Sequence, residues 1–243
     1  MIQPIILAAG KGTRFVNFDG PKVLALFRGK PLLAYLLDSF GKTPFAKPIV
    51  VVGYYAERVQ VAVGERGKCV LQKDQLGTAH AASDALVSVG DEARTVIIVS
   101  GDTPFWKPET FMKLAQMHAD SSAMVTVATV RFDDPSGYGR IVRNEQGDVQ
   151  AIVEHVDATP FELQIRECNS ALYAFDRAWL KENIARITRS KKGEYYLTDI
   201  VGIAIAQGKS VKTVTVDRHE ALGVNTPEQL QFAEQTIPHD WFA

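Results

Sequence analysis

The chain has 243 residues, of which 46% are hydrophobic and 23% charged, a composition typical of globular proteins with one or two units. A formal net charge of −1 argues against a nucleic-acid or anionic-membrane partner. No apolar run reaches the roughly 20 residues that span a bilayer, and the amino terminus lacks a secretory pattern. Cys69 and Cys168 lie in separate apolar runs, which predicts reduced thiols in a cytoplasmic protein.

The first predicted element is a buried strand over residues 4–8 that runs into the glycine-rich sequence AGKGTR. Lys11 and Arg14 lie in this loop, and Lys22 follows it. Cations beside free backbone amides at a strand end are typical of a polyphosphate site. The alternative is a surface loop with solvated cations, since the loop lacks a Walker pattern and Phe15 replaces the last Gly of GxGxxG.

Strands and helices are then expected to alternate. The predicted strands of the first half lie at residues 48–52, 69–71 and 95–100, and the predicted helices at 32–40, 56–63, from 79 onward, and at 108–117. Pro31 suits the first turn of the helix at 32–40. This alternation predicts an α/β fold with a Rossmann-like, mostly parallel sheet flanked by helices, and ligands at the carboxyl ends of its strands.

The second half has a mixed pattern. Strands are predicted at residues 124–130, 139–142, 149–154, 167–175 and 210–214, and helices at 176–187, 198–206 and 227–235. Polar turns separate the strands, which predicts hairpins in a smaller mixed lobe beside the first sheet. The sequence has no Ser/Gly linker or internal repeat, so we expect one continuous catalytic domain.

Nine short motifs occur in order along the chain: LAAGKGTR, PKVL, QLGTAHA, GD, GYGRIVR, VEH, ECNSAL, GEYYLTD and GVN. Together they resemble the sugar-1-phosphate nucleotidylyltransferases from residue 4 to residue 235. Within that family they are most similar to the uridylyltransferase (pyrophosphorylase) domain of bacterial N-acetylglucosamine-1-phosphate uridylyltransferase. The resemblance implies the nucleotide-diphospho-sugar transferase fold, with a nucleotide-binding lobe at about 1–120, a sugar-binding lobe at 121–225 and a carboxy-terminal helix and tail at 226–243.

The implied reaction needs no general base. An oxygen of a sugar 1-phosphate attacks the α-phosphorus of a nucleoside triphosphate, and pyrophosphate leaves. The attacking phosphate is already ionised near neutral pH, because its second pKa is about 6. Catalysis then consists of holding two anions together and neutralising charge. We expect Arg14 and Lys22 to be the catalytic cations and the amides of residues 10–13 to hold the triphosphate.

A metal site is predicted at Asp102, which follows a buried strand and Gly101. Mg²⁺ binds one or two protein oxygens together with phosphate oxygens and water. The resemblance supplies Asn225 of GVN as the second ligand. The alternative is that Asp102 is a helix cap or turn residue.

The nucleotide is expected to contact the first loop and the polar segment after residue 71. Gln72 has both a donor and an acceptor for a base edge, and Gly77 allows close backbone approach. Thr78 has an alternative role as a helix N-cap, and His80 receives no role. The full predicted nucleotide-binding set is Leu7, Ala8, Ala9, Gly10, Gly12, Thr13, Gln72, Gln75, Gly77 and Thr78.

The resemblance assigns the sugar to residues of the second half: Gly139, Glu154, Asn169, Tyr196 and Thr198. The alternatives are a strand-end surface charge for Glu154 and core packing for Tyr196. Two departures from the resembled pattern lie in this region and beside the nucleotide. Ser170 and Ala171 stand where Thr and Gly are usual, and Ser100 replaces a Tyr before Gly101.

The preferred interpretation is a cytoplasmic, Mg²⁺-dependent enzyme that makes UDP-N-acetylglucosamine, a cell-wall precursor, from UTP and N-acetylglucosamine 1-phosphate. The departures keep open another hexose 1-phosphate, or dTTP in place of UTP. A non-catalytic nucleotide-sugar-binding module is the alternative from a different class. The chain shows no hexapeptide repeat, so we expect no left-handed β-helix and no acetyl transfer. The sequence assigns no oligomeric state.

Overall fold

A computed structural model gives the fold, and it describes residues 1–15 and 18–242. Val16 and Asn17, which belong to the stretch between the predicted polyphosphate loop and Lys22, lie outside the described residues, as does Ala243 of the predicted tail. Across the described part of the chain, every helix is too short or too polar to cross a bilayer.

The described residues form eleven strands and seven α-helices. The strands are β1 Ile2–Ala8, β2 Leu26–Phe27, β3 Lys30–Pro31, β4 Ile49–Val52, β5 Lys68–Leu71, β6 Thr95–Ser100, β7 Val125–Arg131, β8 Arg140–Arg143, β9 Val149–Val153, β10 Glu167–Asp176 and β11 Val211–Thr215. The helices are α1 Leu32–Gly41, α2 Ala56–Val63, α3 Thr78–Leu86, α4 Pro108–Ser121, α5 Arg177–Asn183, α6 Asp199–Ala206 and α7 Pro227–Thr236.

One sheet contains nine of these strands, in the order β11-β7-β10-β6-β1-β4-β5, with β8 paired to β10 and β9 paired to β8. Strand β1 is parallel to both of its neighbours, β4 and β6, and β7 is parallel to β11. The predicted α/β fold with a mostly parallel sheet flanked by helices is therefore confirmed.

Strands of the second half join this same sheet. Strand β10 lies antiparallel between β6 and β7, so it links the strands of the two halves. The ribbon of β8 and β9 extends from one end of β10 through the pairing of Cys168 with Arg140. The mixed part predicted for the second half is thus built on one continuous sheet.

The sheet is covered on both faces. Along β1, Ile5 packs into one apolar cluster with α3, and Ile6 into another with α1 and α4. Both residues are completely buried. A strand buried on both faces reads as a continuous apolar run, which is why β1, β4 and β6 were predictable. Their carboxyl ends emerge together at one edge, next to the glycine-rich loop.

A short hairpin before α1 was not predicted. Strands β2 and β3 are joined by Arg28 and Gly29, which both have positive φ (48° and 76°), as in a tight type I′ turn. Pro31 belongs to β3 and is the N-cap of α1, so its predicted place in the first helical turn was wrong. Two-residue strands carry too little hydrophobic pattern to be detected in a sequence.

Candidate active site

The glycine-rich loop packs directly against Lys22. Gly12 has a φ of +60°, and a Cβ on it would lie 3.0 Å from the Cβ of Lys22. A side chain at this position would be both strained and crowded. Pro21, with φ −71°, precedes a 3₁₀ turn over Lys22–Leu24 in which Val23 is buried. The turn therefore fixes Lys22 beside the loop, as the sequence predicted.

Five polar residues converge at the centre of the site. The Lys22 ammonium donates to Asp102 Oδ2 and to Asn225 Oδ1, both at 2.7 Å. Arg14 Nη2 donates to the same Asn225 oxygen at 3.0 Å. Ser100 Oγ donates to the other carboxylate oxygen of Asp102 at 2.6 Å. The first loop, the end of β6 and the segment before α7 thus meet at one point.

The Asp102 carboxylate is held in its ionised form. Burial raises its pKa, but the charge and hydrogen bond of Lys22 and the hydrogen bond of Ser100 outweigh burial, so the pKa lies below its usual value. Helix α4 begins at Pro108 and has Lys107 as its N-cap, so the alternative role of Asp102 as a helix cap is wrong. Asp102 does lie in a turn after β6, as the other part of that alternative predicts. Both of its oxygens contact side chains of the site.

Asp102 and Asn225 form a donor set that fits a hard divalent cation. The Lys22 ammonium already acts as a stand-in cation, because it contacts a carboxylate oxygen and an amide oxygen at the same distance. Among the described residues, no group of three His, Cys, Asp or Glu side chains forms a metal cluster. A cation here would therefore take its remaining ligands from substrate phosphates and water, as Mg²⁺ commonly does.

A cavity of about 530 Å³ opens on the glycine-rich side of this centre. All the residues predicted to bind nucleotide line it: Leu7, Ala8, Ala9, Gly10, Gly12, Thr13, Gln72, Gln75, Gly77 and Thr78. Arg14, Lys22, Asp102 and Asn225 line it as well. The structure therefore brings the predicted nucleotide, cation and metal residues to one cavity.

Gln72 is 3% exposed, and its amide is fixed by two contacts. Its Nε2 donates to the Gly77 carbonyl at 3.2 Å and lies 2.9 Å from His80 Nδ1. Because an amide NH₂ only donates, Nδ1 is the acceptor in this arrangement. His80 thus orients the predicted base-reading residue, a role that the sequence did not reveal.

The Gly77 turn joins the two halves of the chain. Its φ is +114°, and a Cβ there would lie 2.5 Å from the Tyr195 carbonyl oxygen. Gly77 itself is the N-cap of α3, so the alternative role of Thr78 as the cap is wrong. The Thr78 hydroxyl instead accepts a hydrogen bond from the Leu197 N–H at 2.9 Å.

A second cavity, of about 360 Å³, lies on the other side of the centre. All the predicted sugar residues line it: Gly139, Glu154, Asn169, Tyr196 and Thr198. The Thr198 hydroxyl donates to Glu154 Oε1 at 2.9 Å. Burial raises the pKa of Glu154, and the Thr198 hydrogen bond only partly offsets this, so the pKa lies above its usual value.

The two cavities share one wall. Its residues are Leu7, Arg14, Thr78, Ser100, Asp102, Glu194 and Asn225. The Arg14 guanidinium and the Asp102 and Glu194 carboxylates therefore lie between the two cavities. Glu194 and Tyr173 also line the site and were missed, since a lone polar residue in a strand or loop has no pattern of its own. Ser100 lines it as well, and the sequence named it only as a departure from the resembled pattern, without a role.

Known proteins match this chain over most of its length. The model of the family described as nucleotidyl transferase matches residues 3–222, which is most of the chain. The chain belongs to the nucleotidyl transferase family. It is 43% identical over 235 residues to the bifunctional protein GlmU of Heliobacterium modesticaldum, and 41% identical over 232 residues to that of Bacillus licheniformis. These matches cover 96% and 95% of the chain but 51% of each relative, so the chain spans about half the length of the relatives it matches.

Solved structures show the same nucleotidyl transferase fold. A protein from Bacillus anthracis assigned as a glucose-1-phosphate thymidylyltransferase superposes with a TM-score of 0.79 at 18% identity, covering 97% of this chain and 94% of that one. HddC from Yersinia pseudotuberculosis superposes with a TM-score of 0.72 at 20% identity, covering 98% of this chain and 100% of HddC. At this identity the likeness establishes the fold.

Proposed function

We propose that the protein transfers a uridylyl group from UTP to N-acetylglucosamine 1-phosphate, which gives UDP-N-acetylglucosamine and pyrophosphate. The observation that supports the proposal is the shared wall between the cavities, which contains Arg14, Asp102 and Asn225. Lys22 lines the first cavity and donates to both Asp102 and Asn225. The motif resemblance and the GlmU relatives support the choice of substrates.

The proposed reaction is a direct displacement. A phosphate oxygen of the sugar 1-phosphate forms a bond to the α-phosphorus of UTP, and the bond to the bridging oxygen of pyrophosphate breaks. Arg14 and Lys22 neutralise the charge that the phosphates develop, and the glycine-rich loop holds the triphosphate with backbone amides. For Lys22 to reach the phosphates, its ammonium has to release Asp102 and Asn225.

We assign Asp102 and Asn225 to Mg²⁺. Their oxygens already accept from one cation, and the ionised Asp102 carboxylate is the hard ligand that this ion prefers. When bound, the ion supplies positive charge to the phosphate oxygens.

Recognition is assigned to the walls of the two cavities. Gln72, held by His80, reads the uracil edge, and Gly77 admits the base against the backbone. Glu154, Asn169 and Thr198 accept from and donate to the sugar. This assignment keeps the proposed division into a nucleotide lobe at about 1–120 and a sugar lobe at 121–225.

Both cysteines are free, in agreement with a reducing compartment such as the cytoplasm.

The test is a pyrophosphate-release assay with UTP, dTTP, CTP and ATP against several sugar 1-phosphates. UTP with N-acetylglucosamine 1-phosphate should give the highest kcat/KM of all pairs. Lys22→Ala should lower kcat by about 10²–10³, the usual cost of one preorganised donor to a transition state. A preference for dTTP or glucose 1-phosphate would replace the proposed substrates. Failure of every pair, with metal present, would favour the non-catalytic binding module.

A further inference from the structure

A buried tyrosine forms part of the wall of the sugar-side cavity. Tyr173 is 4% exposed and lies in β10, where the pairing with β7 shifts register between Asn169 and Tyr173. Its hydroxyl accepts a hydrogen bond from Asn169 Nδ2 at 2.6 Å. Tyr173 therefore contacts a proposed sugar-binding side chain directly.

The irregularity in β10 fixes the amide of Asn169. Within it, Ala171 adopts a φ of +60°, a region that residues with a Cβ rarely occupy and that often marks a functional site. In this conformation the Ala171 N–H donates to Asn169 Oδ1 at 3.2 Å. Backbone and phenol thus hold opposite ends of one amide, and one N–H and one lone pair of that amide remain for a ligand.

The phenol proton of Tyr173 has a separate use. A phenol has one donor and can accept as well, so accepting from Asn169 leaves the O–H free to donate. Among the described residues no oxygen or nitrogen accepts that proton, although buried tyrosine hydroxyls usually find a partner. Burial, followed by the nearby Glu154 carboxyl, raises the pKa of Tyr173, so the phenol keeps its proton at neutral pH.

We propose that Tyr173 is a sugar-binding and positioning residue, whose hydroxyl donates to an oxygen of the bound sugar while it holds the Asn169 amide. The inference rests on the proposed function, since it takes the second cavity as the sugar site. The acceptor is a hydroxyl or acetamide oxygen, because the cavity wall around Tyr173 carries the polar side chains of Glu154, Asn169 and Thr198.

The test compares Tyr173→Phe with the parent. The substitution removes only the hydroxyl and keeps the ring, whose centroid lies 5.7 Å from that of the stacked Phe175 ring. We expect the KM for N-acetylglucosamine 1-phosphate to rise about 5- to 20-fold, the loss of one neutral hydrogen bond plus a weakened Asn169. The KM for UTP should change less than twofold.

Calorimetry gives a second readout, with UDP-N-acetylglucosamine and UDP as ligands. Tyr173→Phe should weaken binding of the nucleotide sugar by a similar factor and leave UDP unchanged. Tyr35→Phe is the matched control, because the Tyr35 hydroxyl is also buried and donates to the Phe27 carbonyl at 2.9 Å, away from both cavities. This control should leave both ligands unaffected.

The outcomes separate the two proposals. If the parent uses N-acetylglucosamine 1-phosphate and Tyr173→Phe keeps the parent's sugar KM, the role of Tyr173 is overturned and the function stands. Equal weakening of UDP and the nucleotide sugar would mean that the hydroxyl is only structural. If the parent neither turns over nor binds these ligands, both proposals fail.

Discussion

Replacing Lys22 with Met should make the protein bind a divalent cation more tightly. The Lys22 ammonium lies 2.7 Å from both Asp102 Oδ2 and Asn225 Oδ1, with side-chain exposures of 12% for Lys22 and 23% for Asp102. A metal ion that uses these oxygens has to compete with that ammonium. Met keeps most of the side-chain volume and removes the charge, so the two oxygens become free.

The size of the effect follows from this contact. At an effective dielectric constant of about 20, unit charges about 4 Å apart interact by about 4 kcal/mol. When a metal ion displaces the ammonium, water regains much of this interaction energy for the released charge. We therefore expect displacement to cost a net of about 1.4–2.8 kcal/mol in the parent, which corresponds to about 10- to 100-fold in the dissociation constant of the metal ion. The kcat of Lys22→Met should fall by about 10²–10³, because the Lys22 ammonium no longer contacts the substrate phosphates.

The assay measures Mn²⁺ binding by electron paramagnetic resonance, without nucleotide and at fixed ionic strength. Lys11→Met is the matched control, since Lys11 lines the same cavity, is exposed, and makes no contact with either oxygen among the described hydrogen bonds. Asp102→Asn should weaken binding. The reasoning is refuted if Lys22→Met binds Mn²⁺ no tighter than Lys11→Met, and the metal site itself if Asp102→Asn binds as the parent does.

Three further predictions concern stability. Glu154 has a raised pKa in the folded protein, so its ionisation should destabilise the fold progressively as pH rises above the ordinary value of 4.5. Thermal melts from pH 4 to 8 should therefore show the Tm of Glu154→Gln rising relative to the Tm of the parent. A difference in Tm that stays constant with pH would contradict this. Gly77→Ala should cost at least about 2 kcal/mol in urea unfolding, because the new Cβ meets the Tyr195 backbone at a positive φ. The matched control for this variant is Gly202→Ala, at an open position within α6, which should instead raise the free energy of unfolding by up to about 1 kcal/mol. Glu220 is 3% exposed and accepts from an N–H and a hydroxyl at the start of α4, so Glu220→Ala should cost about 1–3 kcal/mol by calorimetry, and an unchanged Tm would rule out this role.

The helices and strands were largely determined by local pattern. Helix α2 and strand β6 have the bounds that the sequence predicts, residues 56–63 and 95–100. Their apolar residues repeat with the period of a helix or form a continuous buried run, and neither signal depends on distant parts of the chain. The hairpin of β2 and β3 was missed because it is too short to carry such a signal.

The sequence could predict the residues of the site because the nine motifs occur in the same order along the chain as in the resembled family. Pattern and resemblance together named Lys22, Asp102 and Asn225, which the fold brings into contact. Lys22 follows the loop after β1 and Asp102 follows β6, and these are neighbouring parallel strands whose carboxyl ends lie at one edge of the sheet. Asn225 reaches the same point because the Val224 N–H donates to the Asp102 carbonyl at 2.7 Å.

Only the tertiary structure decided how those residues engage one another. The Lys22 ammonium occupies the place between the two predicted metal ligands, His80 orients Gln72, and Tyr173 holds Asn169. Each contact joins two atoms 2.6–2.9 Å apart, on side chains whose positions are fixed by packing, turns and a strand irregularity. Local sequence specifies which groups are present and which elements carry them. It does not specify side-chain partners across the sheet, because those follow from how the elements pack together.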